Sequence, residues 1–187
     1  VGLSSGAMSA DAGHEFLCIG RILERADMTT RIIDVRSASL IPKETSGLLP
    51  FENIQWISVL KSLTAYQMYR QHVQARVRRA DALRYLLLDD EFPRSVYRCV
   101  ALVDGSLQEL PRSKAPRSAV RRLEKAVKSG DIAEMAESNS ALHEFIDRLQ
   151  VELGRIHSEI ARTYFHIEEP AQASTQSQSQ SRSATPA

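Results

Sequence analysis

Long apolar runs, cysteines, aromatic residues and strand patterns are all scarce in this sequence of 187 residues. No apolar stretch approaches the ~20 residues that a membrane-crossing helix needs, which argues against a membrane role. Cysteine occurs twice, at Cys18 and Cys99, far apart in the chain. That leaves no disulfide framework and no cysteine-rich zinc site. Charge of either sign is not in excess: 24 Lys and Arg against 23 Asp and Glu leave a net +1. A dedicated nucleic-acid binder would carry a strong basic surplus, so no nucleic-acid partner is expected. Strand signals are nearly absent, and no glycine-rich loop follows a strand. What is present, 43% hydrophobic and 25% charged residues, suits a globular chain of a reduced, cytoplasmic compartment. The length allows one domain with a real core.

The two ends differ from the middle. Val1 to Ala12 is small and polar, without the basic start and apolar core of a signal peptide. It starts with Val1 rather than Met, so residues 1–12 read as a loop or linker remnant of an N-terminally truncated fragment. From Pro170 to Ala187 there is no large apolar residue to offset the entropy of ordering. Residues 169–187 therefore read as a disordered Ser/Gln-rich tail, and residues 13–168 as the folded domain.

Helical periodicity fills that domain, giving an all-α fold: an antiparallel bundle of about six helices. The first helix spans Ala12 to Ala38. A loop with Pro42, Gly47 and Pro50 follows. The second region runs from Glu52 to about Gln74, with an interruption near Ser62–Thr64 where either hydroxyl is placed to cap. The third covers Arg76 to Leu88. Asp89-Asp90-Glu91-Phe92-Pro93 then reads as the start of a fourth helix reaching Leu110, because proline and carboxylates suit the first turn. The fifth runs from Pro116 to Gly130, and Asp131 caps a sixth that reaches about His166. Along the sixth, Leu142, Ile146, Leu149, Leu153, Ile156 and Ile160 follow a four-three spacing, the seam of a bundle helix. Residues 112–128 hold seven Lys/Arg and one Glu, while residues 131–169 hold nine Asp/Glu and three Arg. Opposite charge on the two arms of this hairpin favours their pairing, and a solvated basic face opposite an acidic one accounts for it.

The first helix is the unusual one. At 100° per residue its apolar positions cover most of the circumference, the pattern of a buried helix. Yet it carries Arg21, Glu24, Arg25, Asp27, Arg31 and Asp34. Glu24, Asp27, Arg31 and Asp34 share one stripe with Gly20, whose missing side chain leaves room for a close approach. Arg21 and Arg25 lie on a different, largely apolar side and need partners if buried. Asp89, Asp90 and Glu91 are the acids available to them. Arg94, just after Pro93, has the fork to clamp a carboxylate. Two readings stand: a buried ion-pair network that fixes helix register, or a polar pocket for an anionic or peptide-like ligand.

The run from Phe16 to Val35, centred on Glu24-Arg25, resembles the signature of the bacterial alpha-E domain family. Trp56, the stretch Leu60 to Tyr66, Tyr69-Arg70, the stretch Asp90 to Val96 and the closing Tyr164-Phe165 are similar to that family's pattern and stand in its order. His14 departs from it where a bulky aromatic is expected. The resemblance implies an all-helical domain in which a first Glu-Arg copy precedes Val1. It also implies a partner, an ATP-grasp-type amide ligase or a transglutaminase-like protein, since family members are encoded beside such proteins or fused to them.

Complete catalytic constellations are not visible. His14-Glu15 and His143-Glu144 begin like a zinc-protease motif, but Cys18 and Asp147 stand where the second histidine belongs. Asp147 can bind zinc, but the sequence offers no third ligand beside His143, so neither metal nor cofactor is expected. Cys18 and Cys99 read as small buried hydrophobes, and Trp56 and Tyr66 as core residues. The expected function is that of a helical accessory or scaffold domain acting with the ligase or transglutaminase-like partner in peptide or amide modification. The alternative is an enzyme with Glu24 as general acid/base, in which Arg21, Arg25 or Arg94 holds a substrate carboxylate and Asp27, Arg31 and Asp90 complete the site.

Overall fold

The computed structural model describes Ser9 and residues 11–38, 49–73 and 76–165. The expected tail and the loop around Pro42 and Gly47 lie outside the described residues. Those residues form eight helices: α1 (Ala12–Ala38), α2 (Leu49–Ser62), α3 (Tyr66–His72), α4 (Arg79–Leu88), α5 (Val96–Gln108), α6 (Lys114–Lys128), α7 (Ile132–Glu137) and α8 (Asn139–Tyr164). The all-α fold is therefore as expected, and the excess over six helices comes from two breaks.

The first break lies at residues 63–65. Thr64 takes a left-handed φ of 53°. The Ala65 amide bonds the Leu60 carbonyl at 2.7 Å and the Thr64 amide the Lys61 carbonyl at 3.0 Å. That pair of bonds is a Schellman ending. Neither hydroxyl caps the next helix: Ser62 Oγ donates to the Ser58 carbonyl and Thr64 Oγ1 to that of Leu63. The second break is at Ser138, whose extended backbone ends α7 and whose hydroxyl accepts from the Ala141 amide at 3.2 Å. Asp131 caps α7, accepting from the amides of Ala133 and Glu134. Two capping residues seven positions apart divide what the periodicity joins, and the short α7 packs Ile132 and Met135 into the core.

Two starts also differ from expectation. Pro50 lies within the first turn of α2 rather than in a loop, a place where its missing amide is no loss. Pro93 stays outside α5, which Ser95 caps by accepting from the Arg98 amide at 3.0 Å. The turn before it is held by Asp89, whose Oδ1 accepts from the amides of Glu91 and Phe92, and whose carbonyl accepts from Ser95 Oγ.

Four long helices close into a ring, with α1 packed on α5 and α8, and α6 packed on the same two. Phe16 meets Tyr164, with ring centroids 5.0 Å apart, and Asp34 meets His143, so α1 and α8 run antiparallel. Arg117 on Asp104 and Lys128 over the Tyr97 ring set α6 antiparallel to α5. The interior is lined from all four: Leu23 and Ala26, Cys99 and Val103, Leu123, and Leu153 and Ile156. All six seam residues of α8 are buried, each such side chain contributing ~1.5–3 kcal/mol. Helix α4 packs against α2, α5 and α7 beside this ring. There Trp56 is buried, as expected, with the Arg79 guanidinium 5.8 Å from its ring.

Candidate functional site

Asp11 immediately precedes α1, and its Oδ1 accepts from the His14 amide at 3.0 Å. Its buried face consists of Ile19, Ala26, Thr29, Thr30, Ile33 and Ser37. The three hydroxyls there are all bonded to main-chain carbonyls. The opposite face is open. Leu17, Met28 and Val35 are 39%, 46% and 64% exposed. The helix is therefore not buried all round, as its composition suggests, because its apolar residues divide into an inner and an outer set.

The charges distribute accordingly. Glu24 is exposed and makes no side-chain hydrogen bond or ion pair among the described residues. A buried Glu/Arg pocket does not form around it, because 100° per residue carries Glu24 to the outer face. Arg25 is half-buried and its Nη1 donates to the Pro93 carbonyl at 3.2 Å. Thr29, one turn on, donates to the Arg94 carbonyl at 3.0 Å. The turn before α5 thus meets α1 through two main-chain oxygens, and not through Asp89, Asp90 or Glu91. Asp90 is exposed, and Glu91 faces His72 at 3.2 Å. Arg94 contributes its carbonyl, while its guanidinium has no hydrogen-bonded partner among the described residues. Arg21 is half-buried and has no such partner there either.

The remaining stripe separates into two pairs. Arg31 Nε bonds Asp27 Oδ2 at 2.7 Å on the surface. Asp34 faces α8, and its Oδ1 lies 2.7 Å from His143 Nδ1. Gly20 receives no close neighbour, since a Cβ there would meet nothing within 4 Å. The structure therefore separates Glu24, Arg25 and Asp34 onto three directions around one helix.

An all-helical chain whose Glu-Arg dipeptide occurs once, at Glu24-Arg25, matches the family model Alpha-E, described as a predicted alpha-helical domain with a conserved ER motif, over residues 1–165. The chain belongs to the Alpha-E family. No curated protein and no solved structure matches it. In this Alpha-E domain the two halves of the motif face different ways. Arg25 joins α1 to the turn that starts α5, and Glu24 faces solvent.

Beyond the motif, the two cysteines and the basic arm take the following places in this Alpha-E domain. His14 lies one turn before Cys18, with Nε2 3.7 Å from Sγ, and Cys18 is half-buried rather than buried. The i, i+4 spacing of the two was a signal for that contact. Cys99 is buried as expected, and burial pushes its thiol up to about 11 although the positive charges of Arg25 and Arg94 oppose the shift. Between α6 and α8 a single ion pair spans the hairpin among the described residues, Arg122 to Glu152 at 3.7 Å. The stronger basic-arm contact is Arg117 to Asp104 of α5, two parallel bonds of 2.9 and 2.8 Å. No described helix is long and apolar enough to cross a membrane.

Proposed function

We propose that this Alpha-E domain is a bacterial, cytoplasmic accessory domain that binds an ATP-grasp-type amide ligase, or a transglutaminase-like protein, through the outer face of α1. The observation that carries the reading is the composition of that face. Leu17, Arg21, Glu24, Met28, Arg31 and Val35 recur at four-three-four-three-four spacing, the pattern by which one helix seats another. Leu17, Met28 and Val35 offer apolar area, and Glu24 and Arg31 supply charges of both signs that fix orientation. The Arg25–Pro93 bond on the inner side holds this face in place without using its outer residues.

The test is binding of the purified chain to the ATP-grasp-type ligase, with Leu17→Glu and Met28→Glu as variants. Both positions are solvent-exposed, so the variants keep the helical spectrum. The reading expects binding by the wild type, its loss in both variants, and no amide-forming turnover by the chain alone. Binding unaffected by either substitution sinks it.

A further inference from the structure

The sequence offers His143 and Asp147 one turn apart and no third metal ligand. The fold brings one. Asp34 of α1 stands against them across the α1–α8 contact, with 109 positions of chain between it and His143. One ligand atom from each of the three residues lies within 4.8 Å of the others. The imidazole sits between the two carboxylates, Nδ1 2.7 Å from Asp34 Oδ1 and Nε2 3.6 Å from Asp147 Oδ2.

We propose that Asp34, His143 and Asp147 bind one zinc-type divalent transition-metal ion and that this ion clips α1 to α8. The donor set decides the class of ion. One imidazole nitrogen and two carboxylate oxygens suit zinc, cobalt or nickel, whereas calcium and magnesium favour all-oxygen cages. Two carboxylates also balance the ion's double charge when the imidazole is neutral. Ligand bonds of ~2.0–2.2 Å require donor atoms roughly 3–4 Å apart, and one ion takes one ring nitrogen, so the His143 ring must turn or Asp147 must swing to bring the three donors to one side. The side chains of His143 and Asp147 are 57% and 59% exposed and free to do so, while that of Asp34, at 21%, is the fixed member. The ring nitrogen that does not bind the ion remains available to water, which orients the ring. The exposure of His143 and Asp147 gives the ion a path in from solvent and leaves its remaining coordination positions to water. The site is independent of the outer face of α1.

The test uses the full chain without an affinity tag. Zinc is titrated by calorimetry, and cobalt by its visible absorption. One ion per chain is expected, with cobalt bands of a low-coordinate site. His143→Gln and Asp147→Asn, both at exposed positions, should each weaken zinc by about tenfold or more, while their metal-free melts match the wild type at a pH above the His143 titration. Asp34→Asn should weaken it equally. His157→Gln, exposed on the same helix and away from the cluster, should leave affinity unchanged. Absence of zinc binding, or binding that survives His143→Gln, overturns the proposal and leaves His143 as a plain inter-helix ion pair.

Discussion

Arg25 reaches the Pro93 carbonyl while the neighbouring Glu24 points to water, so adjacent residues of one motif do different physical work. Removing the first should loosen the junction of α1 with α5. Arg25→Met should lower stability by about 1 kcal/mol, the scale of a partly solvated hydrogen bond to a charged group. Glu24→Gln should stay within about 0.5 kcal/mol of the wild type, as surface changes do. Parallel thermal melts check both, and an equal loss in the two variants would refute this division.

Glycines separate in the same way. A Cβ on Gly130 would lie 2.6 Å from Phe145 Cζ and 3.1 Å from Met135 Cε. Phe145 is buried and has little room to yield, so Gly130→Ala should cost about 1–3 kcal/mol. Gly154, inside α8, meets nothing within 4 Å. Gly154→Ala should stabilise by about 0.5–1 kcal/mol through helix propensity. Urea unfolding of the two variants should move the midpoint in opposite directions.

Thr64 carries a left-handed backbone that a β-branched residue rarely adopts. Its side chain is exposed and its hydroxyl bonds only locally. Thr64→Gly should therefore gain up to about 1 kcal/mol and raise the melting temperature. A lower melting temperature would show that the hydroxyl matters more than the backbone.

Two pairs titrate in opposite senses. The Arg117 guanidinium holds the Asp104 carboxyl below its ordinary value. A depressed carboxylate adds stability above the unfolded pKa and loses it as pH falls through the folded one. Asp34, by hydrogen bond and then by charge, raises the His143 imidazole above 6.5, aided by Asp147 and Glu144. A raised imidazole adds stability below 6.5 and loses it as pH rises through the folded pKa. Melts of metal-free protein across pH should show Asp104→Asn removing the acid-side dependence and His143→Gln the near-neutral one.

Thiol chemistry separates the cysteines. Cys99 is buried with its thiol pushed up to about 11, so it is protonated near neutral pH and shielded. Cys18 is half-buried beside His14. Iodoacetamide should label Cys18 in the folded protein and both cysteines in denaturant. Labelling of Cys99 first in folded protein would contradict the packing.

Much of this fold was legible in residue order, because helix starts and stops are local. Gly130-Asp131 reads as a helical corner and is one, and the four-three seam of α8 is buried throughout. Ser138 and Thr64 were harder, since both breaks depend on how the next helix packs as much as on the residue at the break. The exposed position of Glu24 was not legible either. An apolar helix with two kinds of apolar residue looks the same on a wheel whether one face or both are covered. Asp34 as a neighbour of His143 is purely tertiary, and no spacing rule links positions so far apart in the chain. The His14–Cys18 contact, by contrast, was written in the spacing.

The closed ring of α1, α5, α6 and α8 has a consequence for the order in which the molecule is assembled. Of the described helices α1 is made first, yet its two main neighbours follow α2, α3 and α4, and α8 is the last of them. The contacts of α5 with α6 and of α6 with α8 join elements near in sequence, whereas those of α1 with α5 and α8 are long-range, the kind that loop-closure entropy makes slow to form. The Phe16–Tyr164 contact joins the first and last of the described helices, so it can form only once α8 has been made.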